Sequence, residues 1–187
     1  MKNRIVKAGI MLFVVLSLCG CEQVEQFVNM LNCTFERKDV DNFRFAGVNF
    51  DRLSSPQDLK TAEVIAITTA LLQKKAPVTF NMNVEGSNPN KATAAIGRFK
   101  WILLLDSNEV VNGDVVDRFS IPAESRNILP IEMTFDAWKY LDGSTPESIF
   151  RFYQKISGKD TTQESKATLK IKPTINGVEF PNYITLN

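Results

Sequence analysis

The residue pattern of this chain predicts a mainly β, antiparallel fold of the sandwich or barrel class, with two or three added helices. Three observations carry that expectation. Apolar and polar residues alternate with a period of two in several separate runs. Asp, Ser, Asn and Gly residues that favour turns divide those runs at short intervals. Two Ser/Thr-Pro steps, each followed closely by an acidic residue, open segments of helical period.

The chain begins with basic Lys2, Arg4 and Lys7, continues with an almost wholly apolar run from Ala8 to Leu18, and reaches the small Gly20 just before Cys21. This is the three-part pattern of a secretory signal. At about 1.5 Å per residue the apolar run reaches about 16 Å, half of a hydrocarbon layer of about 30 Å, so a membrane-spanning anchor is the poorer reading. Leu18-Cys19-Gly20-Cys21 resembles the lipobox of bacterial lipoproteins, which implies cleavage before Cys21 and diacylglycerol on its sulfur. Cleavage before Cys19 would put Leu18 where a small residue belongs. Glu22 is not the aspartate that typically retains lipoproteins at the inner membrane, so an outer-membrane location is expected in a diderm host, with the leaflet open.

Three regions follow: a cleaved signal over residues 1–20, a lipid anchor and tether helix over 21–42, and the folded domain over 43–187. Within the tether, Val24, Phe27 and Leu31 recur at helical spacing between Glu22, Gln23, Glu25 and Gln26. The acidic polar face favours packing on the domain over packing on a membrane.

Ser55-Pro56-Gln57-Asp58 predicts a helix running to about Lys74, with Leu59, Ala62, Ile65 and Leu72 on one face and Val64, Ile67 and Leu71 widening the apolar surface. Such a helix is expected to be covered on much of its circumference. Strands are predicted where Val78, Phe80, Met82 and Val84 alternate, where Phe99, Trp101, Leu103 and Leu105 alternate, at Val110 and Val111, at Asp117, Phe119 and Ile121, and where Leu129, Ile131, Met133 and Phe135 alternate. Asp106-Ser107-Asn108 and Asn112-Gly113 supply turns. Ser144-Thr145-Pro146-Glu147 starts a further helix bearing Ile149, Phe152, Tyr153 and Ile156, and Gly158 stops it. Strands near Ala167 to Lys172 and Val178 to Leu186 close the chain.

Asn88-Pro89-Asn90 directly after an alternating strand, the apolar Phe99 to Leu105 strand, Gly113, and Ile121-Pro122-Ala123 before another alternating strand resemble the late embryogenesis abundant type 2 family, also called the water-stress and hypersensitive-response domain. The likeness spans roughly Phe43 to Leu186. It implies an immunoglobulin- or fibronectin-like antiparallel sandwich of about seven strands with added helices. Plant relatives are linked to desiccation and stress, and the resemblance carries no catalytic residues. Physically, Pro89 lacks an N–H and pushes Asn88 towards extended backbone, so it ends a strand. The asparagine side chains can then satisfy the backbone groups freed there.

Composition narrows the chemistry. The 187 residues contain 22 Lys and Arg against 21 Asp and Glu, and loss of the first 20 residues removes three basic groups, leaving a net charge of −2. Nothing in that balance steers the domain to nucleic acid. Histidine is absent, which removes imidazole triads and the commonest zinc ligand, and no cofactor motif is present. Asp106, Glu109, Asp114 and Asp117 lie close in sequence but lack calcium-loop spacing and read as solvated turn charges. Phe43, Phe45, Phe50, Trp101 and Trp138 read as core. Cys33 is the one thiol left after processing and reads as a small buried hydrophobe.

The expected function is a non-catalytic, membrane-tethered interaction or structural module of the cell envelope. Its partners would be the membrane through lipidated Cys21 and an envelope protein. A carrier or chaperone for lipid or another hydrophobic ligand, motivated by the widely apolar Leu59 to Leu72 helix beside a Phe-rich sheet, is the alternative, and a carboxylate-based enzyme acting on glycans ranks last.

Overall fold

The computed structural model describes residues 22, 24–159, 167–175, 178–179 and 181–186. The predicted signal and Cys21 lie outside the described residues. A short helix, α1, covers residues 24–31. The strands β1 (Thr34–Phe45), β2 (Val48–Asn49), β3 (Pro77–Ser87) and β8 (Arg126–Asp136) form one antiparallel sheet in the order β2-β1-β3-β8. The facing sheet runs β10-β9-β5-β6, from β5 (Phe99–Leu105), β6 (Asn108–Val115), β9 (Ala167–Ile175) and β10 (Val178–Glu179), with β11 (Ile184–Leu186) also paired to β9. A small ladder joins β4 (Ala94–Ile96) to β7 (Phe119–Ile121). The fold is therefore a mainly β, antiparallel sandwich, with three α-helices among the described residues, as the alternating runs predict.

The core forms where the inward sets of the two sheets meet. Phe43, Phe45, Phe80, Met82 and Met133 from the first sheet and Phe99, Leu103 and Leu169 from the second are fully buried. Phe43 is the hub of an aromatic cluster, its ring 4.9 Å from that of Tyr153, 5.7 Å from Phe80, 5.8 Å from Phe50 and 6.4 Å from Phe152. Tyr153 and Phe152 come from α3 (Pro146–Ser157), whose apolar stripe the sequence placed correctly. Thr145 caps this helix by accepting from the Ser148 N–H, and Gly158 ends it in the left-handed conformation at φ 72°. The Arg37 guanidinium lies over that end and donates to the Ala167 carbonyl at 3.2 Å, placing a cation beside the negative pole of α3.

Four expectations about the elements need correction. Asn112-Gly113 is not a turn: both residues lie inside β6, paired with Ile102 and Trp101. The first sheet begins before Phe43: β1 starts at Thr34, so residues 34–42 of the segment assigned to the tether belong to that sheet. The Ser55-Pro56 signal opens a single 3-10 turn, Pro56–Asp58; Leu59 and Lys60 are extended, and helix α2 is confined to Thr61–Leu72. Nor is α2 covered on much of its circumference. It buries Ile67 and Leu71, while Val64 and Ile65 are exposed and Leu72 is 80% exposed.

Charge adds stability in a defined pH range. Hydrogen bonds from Lys38 to Glu85, from Arg151 to Asp142 and from Lys100 to Glu179 hold these carboxyls below their ordinary values, as do the backbone N–H groups of Ser54 and Ser55 for Asp58. A carboxyl depressed by folding contributes stability above its unfolded value, 3.8 for Asp and 4.5 for Glu, and that contribution is lost as pH falls through the folded value. With no histidine to titrate, the urea midpoint is expected to stay flat from about pH 5 to 8 and to drop below about pH 4.5. A sloping midpoint across the neutral range would contradict this assignment.

Candidate functional site

The Asn-Pro-Asn segment follows the last residue of β3 and meets the chain leaving β7. Asn88, 2% exposed, is a two-sided connector. Its Nδ2 donates to the carbonyls of Ala92 at 3.0 Å, Ile121 at 3.0 Å and Pro122 at 2.9 Å. Its Oδ1 accepts from the Asn90 N–H at 2.9 Å and from Asn90 Nδ2 at 2.7 Å. Backbone bonds complete the clasp, with the Asn88 N–H donating to Ser125 and the Glu124 N–H donating to Asn90. Pro89, exposed and unable to donate, stops the β3 ladder where this clasp begins.

Asn90 extends the network to α1. Its Nδ2 donates to the Asn29 carbonyl at 2.8 Å, which also accepts from the Asn32 N–H and the Cys33 thiol. Asn29 returns a bond to the Thr93 carbonyl, and Arg118 donates to Gln26. The Asn29 carbonyl, in the last turn of α1, therefore finds a donor on the domain. Asn29 and Asn32 escaped the sequence reading; an asparagine pair in the last turn of a predicted helix was the available signal.

Asn88, Pro89, Asn90 and Pro122 thus come together, while Gly113 stands apart in β6. Gly113 faces Trp101 directly across the β5–β6 ladder, and an added Cβ would lie 2.6 Å from Trp101 Cζ2 and 2.8 Å from Cε2. Its role is to let the indole lie on the bare backbone. Cys33 is half-buried, and burial pushes its thiol up, so it is a weak nucleophile.

The acidic residues of β6 and its turns remain on the surface. Asp106 pairs with Lys155 at 2.6 Å and Glu109 accepts from Asn112 at 2.7 Å. Asp106 and Ser107, both at positive φ, form the two-residue turn that joins β5 to β6. Among the described residues no group of three or more Asp, Glu, Cys or His side chains could hold a metal ion. Phe43, Phe45, Phe50 and Trp101 are buried and Trp138 is half-buried, as expected of core residues.

Beneath α1, Phe27 and Met30 close a cavity of about 30 Å³ whose walls include Val84, Phe99, Ile131 and Ile171. Among the described residues no helix is long and apolar enough to cross a membrane.

Fold and site together define an antiparallel β-sandwich domain whose asparagine motif staples a strand end, a loop and a helix. No family model matches the chain, and neither does any curated protein. Among solved structures it is similar to a protein from Archaeoglobus fulgidus, at 10% identity and a TM-score of 0.35 over 80% of this chain and 92% of that one. It is also similar to a late embryogenesis abundant (LEA) protein solved in solution, at 15% identity and a TM-score of 0.35 over 96% of this chain and 88% of that one.

Proposed function

We propose that this chain is a lipid-anchored, non-catalytic binding module of the bacterial cell envelope, built on a domain of the late embryogenesis abundant type 2 kind, and held at the outer membrane through Cys21. The observation that supports it is the outward face of α2. Thr61, Ile65, Thr68 and Leu72 fall on one side of that helix, flanked by Val64 and Thr69, and all six are exposed without a charge among them. Its apolar part is Val64, Ile65 and Leu72, with threonines between them, and we assign this uncharged, partly apolar face to a protein contact.

This face sits where β1 ends and β3 begins, at the opposite end of the sandwich from α1. The β1 strand separates the two by about 40 Å at about 3.3 Å per residue. A partner can therefore reach α2 without meeting the anchor. Photo-crosslinking in cells from Ile65, with exposed Glu132 on β8 as the reference position, is expected to yield a discrete adduct at Ile65 alone. Equal and unspecific labelling at both positions would sink the reading.

A lipid carrier is the second reading, supported by the wholly apolar cavity under α1. The cavity is not under the Leu59 to Leu72 segment, where the sequence suggested it. At about 30 Å³ it is far below the roughly 150 Å³ that a small aromatic guest requires, so an acyl chain could enter only after α1 lifted away. The binding-module reading requires no such rearrangement.

A further inference from the structure

We infer that α1 is a membrane-seating helix: its outward stripe of Val24, Val28 and Leu31 rests in the headgroup boundary of the bilayer that holds the lipid anchor, and so fixes how the domain stands on the membrane. This deepens the anchored reading above and rests on acylation of Cys21.

The two sides of α1 differ in what they meet. Phe27 and Met30 turn inward over the cavity, and Gln26 and Asn29 are bonded to Arg118 and Thr93 of the domain. At 3.6 residues per turn the opposite side centres on Val28, with Val24 and Leu31 within about 60° of it. These three side chains are 49%, 50% and 48% exposed. Leu31 also lines the cavity with the half-buried Phe35, Leu129 and Ile184, so the exposed stripe runs into the apolar rim of the sandwich end.

Chain length chooses the occupant. Val24 lies three residue steps after Cys21, at most about 11 Å of extended chain, so acyl chains seated in a leaflet bring this stripe to the headgroups. Glu22 lies about 120° from Val28 around the helix, while exposed Glu25 flanks the stripe about 60° from Val28, on the side away from Leu31. Exposed Arg118, which holds Gln26, and exposed Lys91, next to Asn90, add cations beside α1 that suit anionic headgroups. The acyl chains supply the affinity, and the stripe supplies the orientation.

The test uses the full chain, matured in a bacterial host and reconstituted into vesicles of phosphatidylethanolamine and phosphatidylglycerol. A nitroxide is attached at Val28→Cys or, for reference, Leu72→Cys, each with Cys33→Ser. On vesicles the Val28 label is expected to lose collisions with a water-soluble nickel chelate and gain them with oxygen, while the Leu72 label behaves as it does in water. Intact mass of the same samples reports acylation. An acylated protein whose Val28 label stays as open to the nickel chelate as the Leu72 label overturns the seating helix and leaves the anchor standing. Dipolar broadening between Val28 labels that persists on dilution among vesicles shows a second copy covering the stripe, and also overturns it. An unmodified Cys21 removes the anchor and the seating together.

Discussion

Replacing Asn88 with alanine is expected to lower stability by about 3 kcal/mol and the thermal midpoint by about 6–12 °C for a domain of this size. The side chain is buried and serves both directions at once, donating towards three carbonyls and accepting from two N–H groups of Asn90. Alanine leaves the Ile121 and Pro122 carbonyls without that donor in a site closed to water, and each unsatisfied buried group costs about 1–3 kcal/mol. Asn88→Asp keeps the shape but loses the donor, so it should be no better tolerated at neutral pH. Asn90→Ala removes the bond to Asn29 and one of the two N–H contacts to Asn88, and about 1 kcal/mol is expected. Urea unfolding of the three variants checks the ranking. An unchanged midpoint for Asn88→Ala would mean that the clasp forms without its connector.

Gly113→Ala should destabilise by about 2 kcal/mol, within the range for overpacking a closed site. Trp101 is 5% exposed and sits in the central strand between β6 and β9, so its rigid ring has little room to retreat from a methyl group arriving at 2.6 Å. A double-mutant cycle isolates the cause. Trp101→Leu alone removes aromatic packing, but in that background Gly113→Ala should cost much less, because the clash has gone. Additive effects would refute the contact and leave backbone propensity as the explanation. Arginine at Gly113 would not serve as a substitute test, since it changes charge as well as volume.

The parts of the fold that the sequence made legible are those whose signals are local. In β5, Phe99, Trp101, Leu103 and Leu105 alternate without interruption, and in α3 the cap, proline, stripe and terminal glycine agree. β1 was illegible because two irregularities, between Arg37 and Asp39 and between Asp41 and Arg44, shift the inward phase, and Asn42 adopts φ 53°. The side of α2 that packs on the domain was illegible for a different reason. Apolar residues surround that helix, so periodicity has no side to choose. At the site, Asn88-Pro89-Asn90 could be read as a strand break with amides at hand, and that much is what the structure contains. Its acceptors could not be read, because most are backbone carbonyls of Ile121, Pro122 and Asn29, and a carbonyl carries no sequence mark.

The arrangement of β1 and β3 determines how the domain would transmit force. The chain enters β1 from α1 at one end of the sandwich and enters β3 from α2 at the other, and the two strands are paired from Thr34–Ser87 to Phe45–Val78. Tension applied between α1 and α2 would draw these neighbours past each other lengthwise. Their hydrogen bonds lie across the pull and would have to fail together, whereas a ladder loaded from one end opens rung by rung. The same geometry that sets α1 and α2 at opposite ends makes the first sheet a stiff link along the strand direction.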